Sequence, residues 1–309
     1  MRITRRRLGV GIGLAAVAAA CVATIAPSAI AKKGPEADMA KGGDRPMVLR
    51  RLQGVNFIGN CRFSHRAPDD PIVSPGKPGA SHDHSFVGNR TTNAFSTVDS
   101  LLSGSTTCRR SAETAAYWVP TLYVDGSAVA PEGATIYYRR RTLKTVMAPP
   151  AGLKMIAGDS TASSPQSMQV TFWNCGVEAN VPASSTPPAC PSGRGSSLRL
   201  HVTFPSCWNG VSLDSPNHKQ HVAYPTNGRC PAGYDVALPQ ISLIYRYPVQ
   251  GAHDIALASG GVYSGHADFF NAWDQAFLES EVDRCINAQQ DCGLAGLTRP
   301  GALPLRRKL

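Results

Sequence analysis

Gln240-Ile241-Ser242-Leu243-Ile244-Tyr245-Arg246 carries the pattern on which the fold turns. Ile241, Leu243 and Tyr245 alternate with Ser242 and Arg246, the two-residue period of a strand with one face buried and the other wet. Runs of similar β-branched and aromatic composition, most of them bounded by turn formers, recur at 48–58, 117–124, 135–139, 168–174, 198–204 and 255–258, and strands are expected there too. Only 271–286 departs from the pattern. Trp273, Phe277, Leu278, Val282, Cys285 and Ile286 recur at spacings near three and four, which predicts one helix. The fold class expected is mainly β: an antiparallel β-sandwich-like single domain with long loops, one C-terminal helix and disulfide staples.

Composition sets the outer limits. Of 309 residues 42% are hydrophobic and 17% charged, too apolar and too lightly charged for a disordered chain. The 29 Gly and 24 Pro follow no period, which excludes collagen and demands many turns. The formal charge of +10 is concentrated at the ends. Residues 1–31 open with Arg2, Arg5, Arg6 and Arg7, continue through an Ala/Gly-rich apolar run and close on Ala29-Ile30-Ala31, the layout of a secretory signal peptide. Thr4-Arg5-Arg6-Arg7-Leu8 also resembles a twin-arginine export signal, so a secreted, extracellular protein is expected. Cys21 follows Ala18-Ala19-Ala20 but lacks a branched apolar residue three places earlier, so lipidation is the minority reading.

Loss of the signal removes four arginines and no acid, lowering the formal charge to +6, of which Arg306, Arg307 and Lys308 in the tail hold three. No basic stripe interleaved with aromatics stands out along the remaining chain, so no nucleic-acid partner is expected, nor a membrane one after signal cleavage. The expected organisation is a signal at 1–31, a flexible leader at 32–46, one secreted domain at 47–293 and a basic tail at 294–309, as a monomer. Eight cysteines survive cleavage: Cys61, Cys108, Cys175, Cys190, Cys207, Cys230, Cys285 and Cys292. An even set in an exported chain reads as four disulfides. Spacing does not choose among the pairings; pairing sequence neighbours gives 61–108, 175–190, 207–230 and 285–292. No C-x-x-C pair supports a cysteine zinc site.

The chain has no G-x-S-x-G elbow, no H-E-x-x-H and no P-loop, and with every thiol paired no cysteine nucleophile remains. Histidine is what is left. His82-Asp83-His84 places two imidazoles on one side of an extended segment, where they can bind a metal or share acid and base roles. In Asp214-Ser215-Pro216-Asn217-His218-Lys219-Gln220-His221, Ser215 as cap and Pro216 at a first helical position predict one helical turn with His218 and His221 on one face. His266-Ala267-Asp268 is the third cluster. Asp214 and Asp268 are candidate acid/base carboxylates, and Trp208, Trp273 and Tyr117 candidate surfaces for sugar stacking. His65, His201 and His253 stand alone and read as structural.

Several of these segments carry a resemblance. His82-x-His84 with Val87-Gly88, Tyr117-Trp118-Val119-Pro120-Thr121-Leu122-Tyr123, Tyr137-Tyr138, Phe204 through Gly210, Leu213 through Tyr224, Cys230-Pro231, His266-Ala267-Asp268-Phe269 and Asn271-Ala272-Trp273-Asp274 resemble an uncharacterised secreted family. It is catalogued as a domain of unknown function and occurs in bacteria and fungi, in fungi often beside WSC cell-wall modules. The likeness runs from about Val55 to Cys285. It departs at Ala272, where the family usually has glycine, and at Ala258-Ser259-Gly260-Gly261-Val262-Tyr263, which replaces a Gly-Asp-x-Thr-Gly-Tyr lead-in and so lacks its acid. The resemblance implies no activity. With the three clusters it leads to a secreted protein acting on extracellular or cell-wall carbohydrate, as hydrolase or lyase, through a pocket of His82, His84, His218, His221, His266 and Asp268. The alternatives are a non-catalytic wall-polysaccharide binder and an extracellular protein holding a divalent metal on His82, His84 and His266.

Overall fold

The strand expected at 240–246 forms there, with Ile241, Leu243 and Tyr245 buried and Ile244 and Arg246 on the outer side. The computed structural model describes residues 54–293. The signal, the leader, Cys21, the basic tail and the first part of the strand expected at 48–58 lie outside the described residues. In chain order the elements are β1 (Asn56–Ala67), β2 (His84–Gly88), the helix α1 (Val98–Leu102), β3 (Ala116–Pro120), β4 (Leu122–Val124), β5 (Ser127–Val129) and β6 (Gly133–Arg139). There follow β7 (Lys154–Gly158), β8 (Thr171–Asn174), β9 (Arg199–Thr203), β10 (Cys207–Trp208), β11 (Val222–Ala223), β12 (Val236–Ala237) and β13 (Gln240–Arg246). The chain closes with β14 (Ile255–Leu257), β15 (His266–Phe270), the helix α2 (Gln275–Glu281) and β16 (Asp291–Gly293).

Ten strands join one sheet in the order β7-β15-β3-β2-β1-β6-β13-β9-β8, with β16 parallel beside β1. Strand β1 is the corner. Its first half pairs with β6 and its second half with β2, and the register slips between Phe63 and His65, where the strand passes from one layer to the other. The two layers, β2-β3-β15-β7 and β6-β13-β9-β8, approach again where β7 nears β9. Between them lies the core. Phe57 stacks on Tyr138 at 4.5 Å within one layer, Tyr117 on Phe269 at 5.3 Å within the other, and Phe204 meets Phe269 edge-on at 6.3 Å across the gap. Full burial of each such ring contributes about 1.5–3 kcal/mol. The four disulfides join Cys61 to Cys108, Cys175 to Cys190, Cys207 to Cys230 and Cys285 to Cys292, the neighbour pairing expected.

Three expectations need correction. The strand at 117–124 divides at Thr121, whose N–H donates to Asp83 O at 2.9 Å, so β3 and β4 enter different sheets. The helix begins later than 271, because Asn271 is pinned by its side-chain NH2 to Pro149 O and Pro150 O and Asp274 caps the first turn through Phe277 N–H. From Val282 to Asn287 it loosens into a π-helix that keeps Val282, Cys285 and Ile286 buried. Strands β2, β7 and β15 carried no expectation. All five residues of β2 and of β15 are buried, so neither shows the alternation of a half-wet strand.

Candidate metal centre

The outer face of the first layer carries His84 and Phe86 from β2, Trp118 from β3, and His266, Asp268 and Phe270 from β15. Antiparallel register sets Trp118 opposite both Phe86 and Asp268. Ile72, Phe86, Leu101, Ala116, Trp118, Phe270 and Ala272 form a second apolar cluster on this side, away from the main core. Residues 68–83 cover it as a loop held by its own carboxylates. Asp70 Oδ1 accepts from Ile72 N at 2.7 Å and Val73 N at 2.9 Å, and Asp69 accepts from Gly79 N and Ala94 N. An Arg66–Asp83 ion pair at 2.9 Å fixes its far end. The fold of this loop delivers Asp70 and His82 to the strand residues beneath.

There the rings of His82, His84 and His266 converge, with centroids 4.2, 5.0 and 5.9 Å apart. His84 Nδ1 lies 3.0 Å from Asp69 O and His266 Nδ1 lies 2.9 Å from Ser264 O. A carbonyl only accepts, so each ring donates from Nδ1 and keeps a bare Nε2. His84 Nε2, His82 Nε2 and both carboxylate oxygens of Asp268 are buried without any hydrogen-bond partner. Asp268 Oδ2 is 3.9 Å from His266 Nε2. One ligand atom from each of His82, His84 and His266 lies within 4.8 Å of the others, and the same holds for Asp70, His84 and Asp268. Three ligands bound to one first-row ion at about 2.1 Å stand about 3.4 to 3.6 Å from one another, so closing either set would take a contraction of up to about 1.4 Å.

Burial governs the charges. It lowers His82, lowers His84 well below the usual imidazole range with help from its two neighbouring imidazoles, and takes His266 down to about 4. Burial likewise raises Asp70, and raises Asp268 far above the carboxylate range, Asp70 adding to the effect. At neutral pH the cluster therefore presents neutral imidazoles, the form that ligates a metal.

A family model described as "Domain of unknown function (DUF1996)" matches residues 70–273. The chain belongs to the DUF1996 family. No curated protein and no solved structure matches it. The DUF1996 match begins at Asp70 and so takes in every candidate ligand.

Within this DUF1996 domain the third cluster abuts the centre without entering it. His221 spends both ring nitrogens, with Ser215 Oγ 3.0 Å from Nδ1 and Lys154 O 2.6 Å from Nε2, which makes it a brace between its loop and β7. His218 Nδ1 contacts Asp214 Oδ1 at 2.9 Å, and Lys219 Nζ donates to Gly158 O at 2.7 Å. The expected helical turn is absent. Asn217 Oδ1 accepts from Lys219 N and Gln220 N, and His218 takes φ +57°, a left-handed conformation that no helix continues through. Tyr117 and Trp273 are fully buried, joined to Tyr138 by hydrogen bonds, and Trp208 is buried with Nε1 donating to Ser212 O at 2.7 Å. These three rings are core and cannot stack on a sugar. Sequence reasoning missed Asp70, Trp118 and Lys219; the Asp69-Asp70-Pro71 sequence is the one local cue, a pair of turn-forming acids ahead of a proline.

Proposed function

We propose that this DUF1996 domain is an exported metalloprotein holding one divalent transition ion, zinc or copper, on His82, His84 and His266 with a carboxylate oxygen of Asp268. The observation that carries the reading is the convergence of three imidazoles on Asp268: His82 Nε2, His84 Nε2 and both Asp268 oxygens are buried without partners, and the Nδ1 atoms of His84 and His266 are tied to backbone carbonyls. Each unsatisfied buried polar group costs about 1–3 kcal/mol, and a shared cation would offset several at once. Asp70 stands beside the set as an alternative carboxylate. Such an ion would polarise a water or a carbonyl oxygen held against it. Export is supported by the N-terminal signal pattern and by four disulfides, which persist in oxidising compartments.

The test is elemental analysis and calorimetric titration of the mature protein after chelation. About one zinc or copper ion per chain is expected. His84→Ala should abolish uptake and His253→Ala should leave it intact. A folded protein that takes up neither ion, or a His84→Ala variant that binds like the parent, overturns the proposal. Hydrolysis or lysis of extracellular or cell-wall carbohydrate is the second reading, favoured by the His218–Asp214 pair at the rim. Its test is turnover of a polysaccharide panel by the metal-loaded protein and by His218→Ala; equal turnover by both removes the pair from the chemistry.

A further inference from the structure

The outer face of the second layer is chemically unlike the first. Arg62 on β1 pairs with Gly133 on β6, Gly133 with Arg246 on β13, and Arg246 with Arg199 on β9, so one row of register carries three arginines across four strands. Neighbouring strands lie about 4.8 Å apart, which sets Arg246 and Arg199 side by side and Arg62 about 10 Å from Arg246. Arg139 stands over the Tyr137 ring, 3.9 Å from its centroid, on the same face but at the far end of β6 from the row. Three grooves of about 500, 150 and 450 Å³ run together along this row, sharing Asn60 and Arg62 at one junction and Glu132 and Arg246 at the next. Arg90 and Arg109 line the far end. Glu132, bonded to Arg246, is the one acid lining these grooves. Arg199 Nε and His201 Nε2 are buried on this face with no partner.

We infer that this row is a docking surface for an extended acidic polysaccharide, whose carboxylate or sulfate groups pair with Arg62, Arg246 and Arg199 along the continuous groove. A linear file of guanidinium groups set at strand spacing matches a ligand that carries anionic groups at intervals, and arginine forks suit planar carboxylates and sulfates. The surface is on the opposite layer from the histidine cluster, so it does not depend on the metal reading.

Affinity electrophoresis of the mature protein through gels containing polygalacturonate, heparin, a neutral β-glucan or duplex DNA tests it. Polygalacturonate and heparin separate carboxylate from sulfate preference. Retardation by at least one of these two and none by the neutral glucan is expected, weakening with salt. Arg62→Gln, at an exposed site that leaves folding intact, should weaken binding roughly tenfold, and Arg62→Gln combined with Arg246→Gln further. His253→Ala, at an exposed site off the row, should bind like the parent. Absence of binding to both acidic polymers, equal binding of the neutral glucan, binding of DNA as tight as of the polysaccharides, or unchanged affinity in the folded double variant each overturns the proposal.

Discussion

Glu113 offers the most quantitative test of how this core is built. It lies fully buried against Gly59 of β1, with Tyr117 Oη donating to its Oε1 at 3.0 Å, and Tyr117 and Trp273 carry the chain of hydrogen bonds on to Tyr138. Burial raises its carboxyl from 4.5 to about 8, against the Tyr117 hydrogen bond and the Arg110 charge, which pull the other way. Between those two values the folded chain holds a proton that the unfolded chain has released. The unfolded state then binds fewer protons, so stability is full below the unfolded value, falls as pH rises and levels off above the folded one. At about 1.4 kcal/mol per unit, the interval amounts to about 5 kcal/mol. Glu113→Gln keeps an oxygen for the Tyr117 hydrogen bond and removes the titration. Urea unfolding of both proteins, disulfides intact, at about pH 5 and about pH 8 should show the parent losing about 3.5 kcal/mol more than the variant, the share of that interval lying between the two pH values. Parallel pH profiles would refute the buried neutral acid.

Three further outcomes are expected. In Gly59→Ala a Cβ would stand 2.5 Å from Glu113 Oε1 and 2.8 Å from Oε2, and since the carboxyl is enclosed, a loss of about 1–3 kcal/mol is expected in thermal melts; an unchanged midpoint contradicts it. Replacing Cys61 and Cys108 by Ala opens a span of 47 residues and should cost about 4 kcal/mol, against about 2.4 kcal/mol for the 7-residue span of Cys285 and Cys292, so the reverse order in denaturant midpoints refutes the chain-entropy account. His253 is raised by its hydrogen bond with Asp125 at 2.7 Å, and Asp125 is lowered by the same contact. The pair's contribution should vanish both as pH rises through the His253 midpoint and as it falls through that of Asp125, and NMR titration of Asp125→Asn should return His253 toward about 6.5.

Legibility followed composition as well as exposure: β3, enclosed on both faces, was legible through its aromatic and β-branched run, whereas β7, half-wet, was not. At 135–139 the outward residues are Thr135, Tyr137 and Arg139, and at 240–246 they are polar or charged except for Ile244, so the period shows in the chain. In β2 and β15 both neighbours of every inward residue are covered as well, one face by the sandwich core and the other by residues 68–83, so His, Ser, Asp and Phe mix without period. The helix was legible in its apolar spacing but not in its start, because Asn271 serves the backbone of Pro149 and Pro150, far off in sequence.

The histidine cluster was legible in its members and not in its membership. His82-x-His84 and His266-x-Asp268 meet only because β3 lies between β2 and β15 and the register sets Trp118 beside both Phe86 and Asp268. The 214–221 segment has as much histidine but is tied to the two ends of β7, through Lys154 O and Gly158 O, one strand further out. The same architecture then separates two chemistries by coverage. On the first layer burial under a loop favours neutral imidazoles and a protonated Asp268, so that the proposed metal, if bound through that carboxyl, would displace its proton and none from the rings. On the second layer the Arg62 and Arg246 end of the row is exposed, while the loop carrying Gly176 and Gly195 folds over Arg199, whose guanidinium donates to Gly195 O at 3.0 Å. A histidine count or a net charge taken from composition averages over these two faces; burial, which depends on which loop crosses which layer, is what assigns them opposite properties.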